Sequence, residues 1–363
     1  MTAAIPGRVL VVGGGPAAAA AAAGLTDRGY VGTLTLVSAE PVAPYARPAM
    51  SKAYLAGGAS PDDLRVGTGA AELLLGERVL AIDERTRRVR LSSDAELSYD
   101  ELVFATGTRA TRPAAEGVHV LETLDDADRL RTAFDRGTSA IVVGSGLLAF
   151  ELASAAVGRG LGVTLVARSG ALERRLGVLG GILRRLARDH GVLVKEDRGA
   201  FEEGAVMLAG GERLEADVVI GALGCTPNDE LLAEHRAVGG GVVVDASGRV
   251  APGIVAAGDV AVRRRSDGGC VRDATWTNAL AQGDAAAATI LGSTPVDGPE
   301  PIPYGWTEAF GLEIKVAGVI PVGVDPVVID GDLAAGRALL QWPGAAAAVG
   351  YRIPIGRLRR LAA

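Results

Sequence analysis

Two short glycine turns hold the residues of this sequence best suited to chemistry. One reads Gly13-x-Gly15-x-x-Ala18 and the other Gly144-x-Gly146-x-x-Ala149. In such a turn the first glycine permits the tight bend, and the second lets a pyrophosphate approach the backbone. The third, small residue allows a helix to sit close to a strand. Phosphate charge then meets free amide N–H groups and the positive end of a helix dipole. Gly13, Gly15, Pro16 and Ala18 are therefore candidates for one phosphate cradle, and Gly144 and Gly146 for a second.

The flanking residues supply the elements such cradles need. Arg8–Val12 is a short β-branched run, an alanine-rich stretch with strong helix propensity continues to about Arg28, and Thr33–Val37 is a second strand. The pattern returns as a strand over Ala140–Val143, a helix to about Gly158 and a strand over Val163–Ala167. One such turn is a weak signal, but two correctly placed copies predict two dinucleotide-binding modules. FAD beside NAD(P) is the usual chemical reason for such a pair. Further strands are expected at Tyr99–Ala105, ending in Thr106-Gly107, and at Asp217–Gly221. Others are expected at Val242–Asp245 and at Gly253–Asp259, the last ending on an exposed acid, and a helix over Ala279–Leu291.

Bulk properties exclude several other classes. A net charge of −6 argues against non-specific nucleic-acid binding, which needs a basic surface. Cys225 and Cys270 form neither a CxxC pair nor a metal-ligand spacing, so no zinc site, metal centre or dithiol is expected. The uncharged run from Val9 to Thr26 is long enough to suggest a membrane span, yet Gly13-Gly14-Gly15-Pro16 at its centre would break a spanning helix. A soluble, cytoplasmic chain with no membrane partner is the expectation.

Several separated motifs together resemble the FAD-dependent, NAD(P)H-linked ferredoxin and rubredoxin reductases that serve oxygenases and cytochromes P450. Pro44-Tyr45-Ala-Arg47-Pro48-Ala-Met50-Ser51-Lys52 is similar to that family's flavin-edge segment. Ala105-Thr106-Gly107 and Ala257-Gly258-Asp259-Val260 are similar to its FAD-closing motifs. Thr275-Trp276-Thr277-Asn278-Ala279 and Tyr304-Gly-Trp306-Thr307-Glu308 resemble its late flavin-proximal segments. The resemblance implies an α/β fold with two Rossmann-like three-layer dinucleotide-binding domains and a small α+β C-terminal domain. The FAD domain would be split, 1–112 plus 239–298, with the NAD(P)H domain at 113–238 and the C-terminal domain at 299–363.

The resemblance also implies roles. Asp259 would accept hydrogen bonds from ribityl hydroxyls, and Lys52 would favour the negative charge of reduced flavin. Glu151 would meet the nicotinamide and pair with Lys52. Glu40 would bind the adenosine ribose of FAD, with Arg47, Thr106, Gly107, Gly258, Trp276 and Trp306 also at the cofactors. A ferredoxin-type iron–sulfur protein is the implied electron acceptor.

The sequence departs from the family in places. NAD-specific members carry an acid at the end of the second module's second strand, whereas Ala167-Arg168-Ser169 stands here. A missing acid beside an arginine suits a 2′-phosphate, so Arg168 and Ser169 point to NADPH over NADH. Glu122, Thr277, Glu308 and Ala309 also differ from the family's common choices near the flavin. They keep open a flavoenzyme that acts directly on a small molecule, and a redox-sensing or interaction flavoprotein with slow turnover.

Overall fold

The computed structural model describes residues 6–264, 269–293 and 302–363. The chain forms two compact units. The first comprises Met1–Arg47, Pro61–Arg109 and Thr226–Glu300; the second comprises Pro48–Ser60, Ala110–Cys225 and Pro301–Ala363. The expected boundary at 298/299 lies outside the described residues.

The first unit is built on a six-stranded sheet. Its order is Arg249–Ala251, Ile254–Ala256, Glu101–Phe104, Arg8–Val12, Thr33–Ser38 and Glu72–Leu75. All neighbours are parallel except the first, an antiparallel edge strand. Strands covered on both faces read as continuous apolar runs, as Val9–Val12 does, and all four of those residues are buried. The helix Pro16–Asp27 follows the glycine turn with proline in its first turn, where a missing N–H costs nothing. Its alanines, Ala17, Ala18, Ala19, Ala21 and Ala22, are buried, because only a methyl fits between this helix and its neighbours.

One of those neighbours is the helix Trp276–Ile290. It begins three residues before the expected Ala279, because the Thr275 hydroxyl accepts the Asn278 N–H and caps it. At Gly283 this helix comes so near the first that a Cβ would stand 2.3 Å from the Ala17 carbonyl oxygen. Arg28 closes the far end with paired hydrogen bonds to Asp284, 2.7 and 2.9 Å.

The second unit repeats the device. Its five parallel strands run Leu193–Lys195, Gly162–Val166, Ser139–Val143, Val218–Gly221 and Val118–His119. A three-stranded antiparallel sheet, Gly199–Glu202, Ala205–Leu208 and Arg213–Glu215, packs on them. The C-terminal part is a five-stranded antiparallel sheet in the order Tyr304–Ala309, Leu312–Gly318, Ala345–Val349, Arg337–Trp342 and Val327–Asp332, covered by the helix Ile355–Ala362. The α/β class and both parallel-sheet modules are as expected. Among the described residues no helix is long and apolar enough to cross a membrane.

The helix contact at Gly283 sets two effects against each other. Alanine is favoured over glycine in a helix by about 1 kcal/mol, while forcing a methyl into a packed site costs about 1–3 kcal/mol. Here the obstacle is backbone, which yields little. Gly283→Ala should therefore lower the melting temperature by several degrees in thermal unfolding; an unchanged or raised value would contradict this packing.

Candidate dinucleotide-binding and active site

The first cradle lies where Arg8–Val12 gives way to Pro16–Asp27. Gly13 has φ of +131°, and a Cβ there would stand 2.1 Å from the Ala105 carbonyl oxygen. Its N–H donates to the Val37 carbonyl at 2.9 Å. At Gly15 a Cβ would meet nothing within 4 Å, so the turn opens a side-chain-free space at the helix N-terminus. Such a space over free amides suits a pyrophosphate.

Beyond the second strand, Glu40 accepts hydrogen bonds from Arg47 and from the Tyr45 hydroxyl, the latter at 2.6 Å. Two expected site residues, Glu40 and Arg47, are thus an ion pair, with the carboxylate side chain 18% exposed. Thr106 and Gly107 are held by Asn228. The Thr106 hydroxyl donates to the Asn228 carbonyl at 2.7 Å, and the Asn228 side-chain amide donates to the Thr106 carbonyl at 2.9 Å.

Gly258 adopts φ of +83° and donates its N–H to Gln282 Oε1 at 2.8 Å. That turn delivers Asp259, whose carboxyl burial pushes up to about 6 against the opposing pull of Arg272 and Arg47. No hydrogen bond reaches the Asp259 carboxylate among the described residues, although Arg272 donates to its backbone carbonyl at 3.3 Å. A desolvated acceptor lacking donors fits a hydroxyl-rich ligand such as the ribityl chain of FAD. Trp276, half-buried, opens the helix that follows.

The second cradle lies where Ser139–Val143 gives way to the helix Leu147–Gly158. Gly144 donates its N–H to the Val166 carbonyl at 3.0 Å, and a Cβ on it would stand 2.5 Å from the Ala222 carbonyl oxygen. Gly146, like Gly15, would place a Cβ in open space. The residue between them, Ser145, accepts the Arg168 N–H on its hydroxyl at 2.9 Å, which fixes the loop after Gly162–Val166. Ala167 is buried, while Arg168 and Ser169 are exposed. The Ser169 hydroxyl donates to Glu196 at 2.9 Å, and Arg174 donates to the Ser169 carbonyl at 3.2 Å.

On the same helix Glu151 is buried, yet every carboxylate oxygen has a partner. Lys52 Nζ stands 2.9 Å from Oε1, the Thr307 hydroxyl donates to Oε1 at 2.7 Å, and the Ser51 hydroxyl donates to Oε2. Lys52, on the π-helical turn Met50–Tyr54, also donates to the Pro48 carbonyl at 3.1 Å. Its ammonium therefore shares its charge with a carboxylate rather than standing as an isolated cation. A buried pair survives only when hydrogen bonds satisfy both members, as here. Trp306, two residues along the strand from Tyr304 and stacked on it at 6.2 Å, is half-buried.

Ser51, Thr307, Ser145, Asn228 and Glu196 are not among the residues expected from sequence. Ser51 and Thr307 stand inside quoted motifs, and Ser145 is the unspecified residue between two glycines. Hydroxyls have many uses, so nothing local marked them out. Cys225 and Cys270 are free and exposed, and no group of His, Cys, Asp and Glu among the described residues could hold a metal ion.

This arrangement of two cradles, each at the head of a parallel βαβ unit, has known counterparts. The pattern of the pyridine nucleotide-disulphide oxidoreductases matches residues 7–283. The chain belongs to that family. It is 34% identical over 352 residues to the ferredoxin–NAD(+) reductase component of the biphenyl dioxygenase system of Paraburkholderia xenovorans, covering 92% of this chain and 86% of that protein. The covalent putidaredoxin reductase–putidaredoxin complex contains a similar chain, with a TM-score of 0.85, 30% identity and coverage of 94% and 89%. An engineered water-forming NADPH oxidase shares the fold at a TM-score of 0.82 and 21% identity, covering 97% and 89%. The protein is an FAD-dependent oxidoreductase that uses a nicotinamide dinucleotide.

Asp259 gives a test of the first cradle in which stability and binding respond with opposite signs. An unfolded aspartate titrates near about 4, whereas folding raises this one to about 6. The folded chain thus holds the proton more tightly, and the cost of ionising Asp259 is present above pH 6 and gone below about pH 4. In FAD-free protein, Asp259→Asn should raise the melting temperature at pH 8 but not at pH 4. The same change should weaken FAD binding about tenfold or more, since one charged acceptor is lost. Unaltered FAD affinity in a flavin-fluorescence titration would contradict the assignment.

Proposed function

We propose that this protein takes hydride from NADPH in preference to NADH and delivers the electrons singly to a ferredoxin-type iron–sulfur protein. The observation that carries the donor preference is the loop after Gly162–Val166. At its first position Ala167 offers only a buried methyl where an acid would grip a 2′-hydroxyl. At the next, Arg168 is exposed, its N–H is anchored on Ser145, and its guanidinium makes no hydrogen bond or ion pair among the described residues. A planar fork of donors with no competing partner, on a backbone that is anchored, is suited to a phosphate.

The NADPH oxidase supports the same reading. Its five substitutions introduce alanine, alanine, arginine, serine and arginine, and that protein is bound to NADPH. The second follows the first by 18 positions, the next two follow directly, and the last lies five beyond them. Ala149, Ala167, Arg168, Ser169 and Arg174 stand at those spacings here.

FAD, when bound, takes the donor's electron pair and hands on single electrons, which no side chain here can do. The chain's residues bind and orient. Gly144, Gly146 and the N-terminus of Leu147–Gly158 would hold the pyrophosphate of NADPH, Arg168 and Ser169 its 2′-phosphate. Gly13, Gly15, Pro16 and Ala18 would hold that of FAD, and Asp259 its ribityl hydroxyls. Glu40 with Arg47, Thr106, Gly107, Gly258 and Trp276 would complete the FAD site. Glu151, fixed by Lys52, Ser51 and Thr307, would present a carboxylate of set orientation to the nicotinamide, with Trp306 nearby on the adjoining strand. The named reductase of the biphenyl dioxygenase system and the putidaredoxin complex support an iron–sulfur acceptor.

Rapid anaerobic mixing should show flavin bleaching at least about tenfold more efficient with NADPH than with NADH. Arg168→Ala should weaken NADPH by about 10- to 100-fold, the worth of charge-assisted hydrogen bonds, and NADH by less than about twofold. Faster bleaching by NADH, or equal losses in the variant, would overturn the preference. Cytochrome c reduction should depend on added [2Fe–2S] ferredoxin; turnover unaffected by any such protein would overturn the acceptor.

A further inference from the structure

The loop that carries Arg168 is in contact with an acid. Glu196 follows the strand Leu193–Lys195, beside the end of Gly162–Val166, and its Oε2 accepts the Ser169 hydroxyl. A bare carboxylate one hydrogen bond from Ser169 would repel a 2′-phosphate and accept a 2′-hydroxyl, reproducing the feature of an NADH site. It is not bare. Arg184, on the helix Val178–Asp189, reaches Glu196 Oε1 at 2.5 Å with a side chain only 11% exposed, and Arg188 reaches the same oxygen at 3.1 Å. Arg184 also bonds Glu173 at 2.6 Å, which holds its guanidinium in place. These contacts, Arg184 first and Ser169 next, keep the Glu196 carboxyl below its ordinary range, so it is ionised and must be balanced rather than neutral.

We infer that Arg184 is a specificity-determining residue acting through another. By cancelling the charge of Glu196 beside Ser169, it lets the loop take a 2′-phosphorylated dinucleotide. This deepens the NADPH reading and rests on it. Arg184 lies 16 positions beyond Arg168 on a different element, and it acts by balancing charge rather than by touching the ligand.

The test uses the FAD-loaded protein with 2′,5′-ADP and 5′-AMP as probes in calorimetric titration, so no turnover enters. Wild type should bind 2′,5′-ADP at least about tenfold tighter than 5′-AMP, from the phosphate contacts alone. Arg184→Met should reduce that ratio about tenfold, mainly by weakening 2′,5′-ADP, because a carboxylate left only with the exposed Arg188 now faces the phosphate. Adding Glu196→Gln to that variant should restore most of the ratio, and Arg184→Lys should keep it. Arg188→Met, at a position half exposed, should lower the ratio about two- to fourfold without risk to folding. A ratio unchanged in both Arg184→Met and Arg188→Met overturns the inference, as does a loss that Glu196→Gln fails to restore, since that marks a structural role. If wild type itself shows no preference, the NADPH reading fails and the inference falls with it.

Discussion

A strand can turn into a helix this close to its neighbours only where the residue at the bend has no side chain, and both proposed nucleotide sites follow from that constraint. The two modules meet it with the same atoms. Gly13 and Gly144 each donate to a carbonyl at or next to the end of the strand on one side, Val37 and Val166. Each lies against the carbonyl that follows the strand on the other side, that of Ala105 or Ala222. Those two alanines in turn donate their N–H groups to Val12 and Val143, at 2.8 Å in both cases. The bend is gripped from both sides, and what it leaves uncovered, at Gly15 and Gly146, is helix N-terminal backbone open to a phosphate.

From this shared frame the modules diverge at the end of their second strand. In the first, Glu40 is neutralised by Arg47 and bonded by Tyr45. In the second, an alanine and an arginine with no ion pair among the described residues stand in the equivalent loop, and the acid bonded to that loop, Glu196, is neutralised by two arginines. The difference is one of charge balance on one scaffold, and on the proposed reading it is what separates the two dinucleotides.

The glycine turns, the parallel strands and the helices were legible in the sequence because each depends on residues close together along the chain. The acid after Gly253–Ala257 was legible for the same reason, but it was expected to be exposed, whereas its neighbours Gly258 and Val260 are buried and its own carboxyl is desolvated. The start of the later helix was missed by three residues, since a capping threonine, Thr275, outweighs the lower helix propensity of Trp276 and Thr277. The environment of Glu151 was only partly legible. Its helix could be read, but Ser51 and Thr307 lie 100 and 156 positions away and reach it only through tertiary structure. Arg184 was invisible for a related reason, as it looks like one more arginine on a solvated helix face until its carboxylate partner is seen.

Native mass spectrometry of the FAD-loaded protein titrated with NADP+ tests the central claim that the chain carries two cradles filled together. A species holding one FAD and one NADP+ per chain is the predicted result, with the flavin retained as the second nucleotide binds. Binding of NADP+ only at the expense of FAD, or no species with both, would show that one cradle serves both ligands and would contradict the account.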